Sequence, residues 1–152
     1  MKKSFLKSVL TLAGLILTMF AYSQDPADAI LGKWLNEDQD AHVQIYKEDG
    51  EFCGKIVWLK EPIDTLTGLP KVDDENDDPV LAQRPVMGLV ILKDFIYDSD
   101  DDEWEDGTIY DPKNGKTYDC YMNFGEDKSL KIRGYIGISW IGRNTYWTRV
   151  AE

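Results

Sequence analysis

The stretch AHVQIYK-EDG-EFCGKIVWL, residues 41–59, decides the fold of this chain. Apolar and polar residues alternate within 41–47 and again within 51–59, and a period of two is the pattern of a half-buried β-strand. Between the two segments, Glu48-Asp49-Gly50 supplies residues that accept the positive φ angles of a tight turn. The stretch therefore predicts a β-hairpin.

Period-two segments separated by turn residues continue along the chain. Further turn signals are DPKNG at 111–115 and GED at 125–127, and no long segment has a helical period. The predicted strands are 32–36, 41–47, 51–59, 86–97, 104–110, 117–124, 130–135 and 145–150. The pattern predicts an all-β fold, an antiparallel up-and-down barrel of about eight strands that closes its own edges. A β-sandwich has the same periodicity and is the alternative.

Residues 60–85 interrupt the strand pattern. They show no clear period, hold four of the six prolines and include the acidic run DDENDD at 73–78. Loops of this length inside a compact domain are uncommon and are often functional or mobile. We expect the loop to leave one end of the barrel, either lying over the mouth or projecting as a solvated insertion.

The first 23 residues have the three parts of an export signal. Lys2, Lys3 and Lys7 precede an apolar run from Val9 to Phe20, and small residues then lead to a cleavage site between Ser23 and Gln24. The run of about 12 residues is shorter than the roughly 20 that a transmembrane helix needs. We expect residues 1–23 to be a signal peptide, the mature chain to have no transmembrane segment, and the protein to be periplasmic or secreted.

Residues 24–152 have a suitable length for a single domain. The whole chain has a net charge of −11, and removal of three signal-peptide lysines leaves 14 basic and 28 acidic residues, or −14. An acidic surface repels nucleic acid and anionic lipid headgroups, so neither is an expected partner. Aromatic residues make up 12% of the chain, which is enough to form a hydrophobic core.

A Gly-x-Trp triplet, Gly32-Lys33-Trp34, opens the first predicted strand, and Arg149 lies in the last. This arrangement resembles the structural signature of the calycin superfamily, which includes lipocalins and fatty-acid-binding proteins. The resemblance implies that Trp34 plugs the closed end of a barrel and that the Arg149 guanidinium stacks on its indole. The implied role of Gly32, Trp34 and Arg149 is structural.

A second resemblance extends over nearly the whole mature chain. The segments that carry it are GKIVWL at 54–59, RPVMGLVIL at 84–92, WEDGTIYDP at 104–112, GKTY at 115–118, LKIRGYIG at 130–137 and WTR at 147–149. Together they resemble a secreted bacterial family known as domain of unknown function 2147. The chain departs from the family's Asn-Pro pair in the long loop, where Asp77 and Asp78 separate Asn76 from Pro79. The resemblance implies the fold and export but no reaction.

The barrel hypothesis suggests a ligand-binding role. Strand alternation predicts that one set of apolar residues faces inward and lines a cavity for a lipid or other small apolar or amphipathic ligand. This set is Phe52, Ile56, Trp58, Tyr118, Met122 and Phe124. Arg133 and Tyr135 resemble the Arg-x-Tyr pair that holds a carboxylate in intracellular lipid-binding barrels. Alternation places both on the outer face, so the ligand role requires a bulge at Gly134.

Other functions remain open. The inward residues would leave no cavity if they pack closely, in which case the protein is an envelope structural or interaction module that uses the long loop and exposed aromatics such as Trp104 or Trp140. A hydrolase with a carboxylate pair is a third possibility, but the sequence singles out no catalytic residue. No cofactor is indicated, and the sequence does not predict an oligomeric state.

The sequence patterns that could indicate a metal site or a disulfide are incomplete. Asp98, Asp100 and Asp102 have the spacing of a calcium loop, but Glu103 and Ile109 stand where an EF-hand needs glycine and an acid. A single histidine, His42, gives no zinc-ligand pattern. Alternation places Cys53 and Cys120 on opposite faces, which disfavours a disulfide unless a bulge changes one of them.

Overall fold

The computed structural model describes residues 25–151, and these form a closed eight-stranded antiparallel barrel. A short 3₁₀ helix, Pro26–Ile30, precedes the first strand, and a second one, Leu81–Gln83, lies between the third and fourth strands. The strands are β1 (Gly32–Leu35), β2 (Ala41–Glu48), β3 (Glu51–Leu59), β4 (Val90–Asp98), β5 (Glu103–Asp111), β6 (Lys116–Phe124), β7 (Leu130–Tyr135) and β8 (Gly142–Arg149).

Each strand pairs with its neighbours in sequence, and β1 pairs with β8 to close the sheet. At this closure Trp34 is opposite Arg149 and Leu35 is opposite Thr148. The up-and-down barrel predicted from the period-two pattern is confirmed, and the β-sandwich alternative is wrong.

Two strands, β4 and β8, begin three or four residues away from their predicted positions. β4 begins at Val90 because residues 86–89 belong to an irregular segment, in which the Val86 N–H donates to Lys71 and the Gly88 N–H donates to Ile56. β8 begins at Gly142, three residues earlier than predicted, since Gly142, Arg143 and Asn144 pair with the end of β7.

The N-terminal 3₁₀ helix covers one end of the barrel, here called the closed end. The indole N–H of Trp34 donates to the Ile30 carbonyl at 2.8 Å, and that of Trp104 donates to the Ala27 carbonyl at 3.0 Å. Both indoles are fully buried, so the expectation that Trp104 is an exposed aromatic is wrong. The two bonds satisfy polar groups that would otherwise be unpaired in the core. The two hydrogen bonds hold the helix against the closed end of the barrel.

Arg149 stabilises the closed end from outside. Its guanidinium lies 4.2 Å from the centroid of the Trp34 ring and donates to the carbonyls of Leu31 and Ala29. Gly32 has a φ of +124°, and a Cβ there would lie 2.9 Å from Arg149 Nη1. Glycine at this position therefore leaves room for the arginine.

The connections β1–β2, β3–β4, β5–β6 and β7–β8 all lie at the opposite end, here called the open end, because consecutive antiparallel strands alternate in direction. Within residues 25–151 no helix has the length and apolar character needed to cross a membrane. The predicted signal peptide, residues 1–23, lies outside the described residues.

Candidate functional site

A cavity of about 1090 Å³ occupies the open half of the barrel. Its inner wall is mainly apolar, and its rim carries charged side chains from the connections at that end. The wall residues include Val43, Ile56, Leu59, Val86, Ile91, Ile109, Tyr118, Thr145 and Trp147. Residues 60–74 of the β3–β4 loop also contribute to the lining, so this part of the loop borders the mouth.

The closed half of the barrel is filled by side chains. The Phe124 ring lies 6.0 Å from Trp34 and 5.5 Å from Trp104, and Phe52 packs edge-on against Trp104 at 6.4 Å. Met122 is fully buried beside them. Phe52, Met122 and Phe124 are therefore inward-facing as predicted, but they form a floor below the cavity and do not line it.

The predicted inward orientation of Trp58 is wrong. The register between β2 and β3 shifts between His42 and Val43, so that His42 is opposite Trp58 while Val43 is opposite Ile56. The extra residue, Val57, reverses the alternation, so that Leu59 lies in the cavity wall instead of Trp58. Trp58 is 39% exposed on the outer surface, where its ring lies 4.4 Å from that of His42.

Ile56 and Tyr118 are the two predicted ligand residues that line the cavity. Ile56 is buried in the wall. Tyr118 lies nearer the rim, where its hydroxyl accepts a hydrogen bond from Asn114 Nδ2 at 3.1 Å. The pair provides an apolar wall with one hydroxyl close to the mouth.

Arg133 and Tyr135 lie on the outer face of β7, and no bulge at Gly134 turns them inward. Arg133 donates to the Ser139 carbonyl and to Asn144 Oδ1, while the Tyr135 ring lies 6.4 Å from Tyr121. Neither residue lines the cavity, so the expectation that they hold a ligand carboxylate has no geometric support.

The arginine at the cavity is Arg143, which the sequence reasoning missed. It is opposite Gly134 in the β7–β8 register and shares the inner face of β8 with Thr145 and Trp147. Arg143 forms no salt bridge with any residue in 25–151. The sequence contained the evidence for this, because Arg143, Thr145 and Trp147 are two residues apart and would share one face of a strand. The predicted strand, however, began at residue 145.

Gly134 leaves open space beside Arg143. A Cβ at this position would meet only Ile109 at 3.5 Å and Tyr118 at 3.6 Å, which are ordinary contact distances. A longer side chain at residue 134 would therefore extend into the cavity, since Gly134 is part of its lining.

The rim contains a three-member charge cluster. Lys113 Nζ lies 2.6 Å from Asp38 Oδ2 and 2.8 Å from Asp40 Oδ2. Burial alone would raise the pKa of Asp40, but hydrogen bonds from Lys113 and Asn36 outweigh it and lower the pKa. Burial likewise opposes the charged form of Lys113, while the bonds to Asp38 and Asp40 raise its pKa. The cluster links the β1–β2 and β5–β6 connections.

A family model described as "Uncharacterized protein conserved in bacteria (DUF2147)" matches residues 32–149, a range that contains all eight strands. The chain belongs to this family. The family resemblance predicted from the sequence segments is therefore confirmed.

The DUF2147 chain is also similar to a solved structure described as "Protein HP1028 from the human pathogen Helicobacter pylori belongs to the lipocalin family". The TM-score is 0.65, with 22% identity over 80% of this chain and 83% of that chain. At this identity the likeness establishes the fold, which is the calycin-like barrel expected from Gly32, Trp34 and Arg149. No curated protein matches the chain.

Two family segments of this DUF2147 chain meet at one buried carboxylate in the long loop. Asp73 is fully buried, and Arg84 contacts its Oδ2 through Nη2 at 2.7 Å and Nε at 2.9 Å. The Tyr110 hydroxyl donates to Asp73 Oδ1 at 2.7 Å, and Asn76 Nδ2 donates to both Asp73 and Tyr110. Every oxygen of the carboxylate is satisfied, so Asp73 anchors the loop to β5.

Gly115 brings the same loop against the β5–β6 turn. Its φ is +70°, and a Cβ there would lie 2.0 Å from the Glu75 carbonyl oxygen. The loop is therefore attached to the barrel at two places and is not a free insertion.

The calcium and thiol candidates do not form a site in the described part of the chain. Asp98 caps its own turn by accepting from the Asp100 N–H, and Asp102 accepts from the Tyr97 hydroxyl, which raises the pKa of Tyr97 to about 12. Residues 25–151 contain no group of three or more His, Cys, Asp or Glu placed to hold a metal. Cys53 and Cys120 are both buried and are not bonded to each other. Burial raises the pKa of the Cys120 thiol.

Proposed function

We propose that this protein binds one small amphipathic molecule, with the apolar part inside the barrel and the polar end at the mouth. The observation that carries the proposal is the cavity of about 1090 Å³ in the open half. It is slightly larger than the upper limit of the roughly 300–1,000 Å³ that small-molecule sites span. The filled floor would set how deeply the ligand can enter.

The wall favours an aliphatic or aromatic ligand. Val43, Ile56 and Ile91 are almost fully buried, and their side chains offer no hydrogen bond to a polar guest. Burial of apolar ligand surface against such a wall contributes roughly 25 cal/mol per Å² before the cost of association. The binding energy would therefore come mainly from the apolar part of the ligand.

At the mouth, where acidic side chains outnumber basic ones, Arg143 is placed to hold an anionic polar end. Lys113 and Lys71 are already paired with carboxylates, whereas Arg143 has no such partner among the described residues. A guanidinium forms two parallel hydrogen bonds with a carboxylate, and the Tyr118 hydroxyl is a further polar group of the same site. The ligand class is therefore a small amphiphile with a carboxylate or similar anion.

We propose that the protein performs this function outside the cytoplasm. Support comes from the three-part signal at residues 1–23, with cleavage between Ser23 and Gln24. The mature unit would then be residues 24–152, with the barrel as its single domain. Intact-mass measurement of the protein recovered from the periplasm or medium tests the cleavage site.

Trp147 lies in the cavity wall and is an internal reporter for binding. The experiment titrates lipid-stripped protein with a 16-carbon carboxylate and follows tryptophan emission. Gly134→Leu should abolish the spectral change by filling the cavity, whereas Gly134→Ala, which adds only one methyl in ordinary contact, should retain it. Equal responses from the two variants, or none from the wild type with any amphiphile in a panel of chain lengths, would show that the cavity is not the binding site.

The hydrolase hypothesis requires a pair of carboxyl groups that are free to act as acid and base. The buried acid in the described chain, Asp73, has all its hydrogen-bonding capacity occupied by Arg84, Tyr110 and Asn76. It is a structural anchor in this arrangement, so the geometry favours binding over a reaction that uses a carboxylate pair.

A further inference from the structure

The β7–β8 connection exposes an apolar tip at residues 136–141. The exposed fractions are 72% for Ile136, 79% for Trp140 and 64% for Ile141, and Ile138 is also exposed. The Ile138 N–H donates to Ile136 and the Ile141 N–H donates to Ile138, so the tip forms a compact double turn. Large apolar groups concentrated in one protruding turn indicate a contact surface.

A second apolar tip lies in the β3–β4 loop at residues 63–69. Leu66 is 94% exposed and Leu69 is 64% exposed. Asp64 holds the turn in shape by accepting from the backbone N–H groups of Leu66 and Thr67, both at 2.8 Å. The leucines are therefore presented by an ordered turn.

The barrel topology places the two tips on opposite sides of the cavity mouth. Both connections lie at the open end, and β3–β4 is four strands away from β7–β8 in a closed ring of eight. Leu69 on one side and Arg143 on the other both line the cavity. A flat surface that contacts both tips would therefore cover the mouth.

The charge pattern around the β7–β8 tip is unlike that of the rest of the chain. The net charge of the chain is −11, yet residues 128–151 contain five basic residues and no acid. The tip is itself uncharged, and Tyr135 lies at its base opposite Gly142. Arg143 and Arg133 occupy the next two positions down the β7–β8 hairpin. The order from the tip downward is apolar, aromatic and basic.

We propose that the two tips dock the mouth of the barrel onto a zwitterionic phospholipid bilayer. Tryptophan and isoleucine would enter the interface to the roughly 5–10 Å depth of interfacial segments, and Arg133, on the outer face of β7, would meet lipid phosphates. Asp38, Asp40 and Asp111 lie on the remaining sides of the mouth and disfavour a strongly anionic membrane. Docking goes beyond ligand binding and gives the cavity direct access to amphiphiles in the bilayer.

The test is flotation with phosphatidylcholine vesicles, using protein that lacks residues 1–23 as verified by intact mass. The wild type should float with the vesicles, and the double variant Trp140→Ser/Ile141→Ser should bind at least about tenfold more weakly, because two apolar side chains no longer leave water. Leu66→Ser should weaken binding by a smaller factor. Ile96→Ser is the matched control, because Ile96 is 51% exposed but lies on the barrel wall away from the mouth.

Three results would overturn the proposal. The first is no flotation of the wild type, and the second is equal flotation of the Trp140→Ser/Ile141→Ser variant. The third is a wild-type dimer in sedimentation that becomes monomeric in this variant without vesicle binding, which would identify a second copy as the occupant. Each is distinguishable from failure of the ligand proposal, since the Trp147 titration uses free amphiphile without a bilayer.

Discussion

At the scale of single residues, the long loop depends on one buried ion pair. Removing one partner of such a pair leaves a charge in a site without solvent, and the cost is usually larger than the net value of the pair. Asp73 is fully buried while the Arg84 side chain is about one-third exposed. Loss of the arginine would therefore leave the Asp73 carboxylate buried without an opposite charge. The stability of the loop should therefore respond strongly to residue 84.

We predict that Arg84→Gln lowers the free energy of unfolding by about 3 kcal/mol, the lower end for a broken buried pair. The measurement is urea denaturation. Lys71→Gln is the control, because it removes the exposed contact with Glu61 at 3.6 Å and should cost less than about 1 kcal/mol. Equal losses in the two variants would contradict an anchoring role for Asp73 and Arg84.

A second residue-scale prediction separates the two arginines of the β7–β8 hairpin. Arg143→Met should weaken binding of a 16-carbon carboxylate about tenfold, because a charge-assisted hydrogen bond contributes roughly 1.5–3 kcal/mol. Arg133→Met should leave it unchanged, since Arg133 lies on the outer face. The corresponding alcohol should bind both variants alike. A larger effect at Arg133 would show that the ligand approaches from outside the barrel.

At the scale of strands and loops, turn chemistry and alternation predicted eight antiparallel strands and the β2–β3 hairpin, but they did not by themselves distinguish a barrel from a sandwich. They failed where a strand contains an irregularity. The register shift near Val57 moved Trp58 to the outside, and positive φ angles at Asp94 and Asp106 accompany similar breaks in β4 and β5. Aspartate accepts a positive φ, but an isolated aspartate in an alternating segment does not reveal which strand will shift.

The candidate site was less predictable than the fold for a related reason. Alternation identified inward residues such as Phe52 and Met122, but it gives no information on depth along the barrel axis. Whether an inward side chain packs into a floor or lines a cavity depends on long-range contacts, here those among Trp34, Trp104 and Phe124. Ile56 and Tyr118 were found because they lie on the inner face and also near the open end.

The attachment of the loop at the β5–β6 turn gives an element-scale prediction. Gly115→Ala should release residues 73–86, because a methyl group there would collide with the Glu75 carbonyl. Amide hydrogen exchange in this segment should accelerate while the barrel strands stay protected. Gly50→Ala is the matched control, since Gly50 has a φ of +91° but nothing within 4 Å of the added carbon. Unchanged exchange in residues 73–86 would contradict the attachment.

For the whole molecule, the pKa shifts predict loss of stability in acid. Hydrogen bonds lower the pKa of Asp64 and Asp127, and bonds from Lys113 and Asn36 lower that of Asp40 despite burial. A carboxyl with a lowered folded-state pKa stabilises the protein above its unfolded value, about 3.9, and this contribution disappears as the pH falls through the folded value.

We therefore expect the melting temperature to fall as the pH decreases from about 4 to about 2.5, and calorimetry across this interval checks it. Asp40→Asn should reduce the slope, because its unfolded and folded states no longer differ in proton binding at residue 40. A melting temperature that rises through the same interval would contradict the assignment of these carboxylates as stabilising when charged.

The molecule as a whole is a closed barrel with one filled half and one open half. The proposed function depends on a ligand occupying the open half. Native mass spectrometry of the lipid-stripped protein with a 16-carbon carboxylate tests this claim most directly. We predict one bound amphiphile per wild-type or Gly134→Ala chain and none on Gly134→Leu. Bound amphiphile on the Gly134→Leu chain, or none on the wild type, would contradict it.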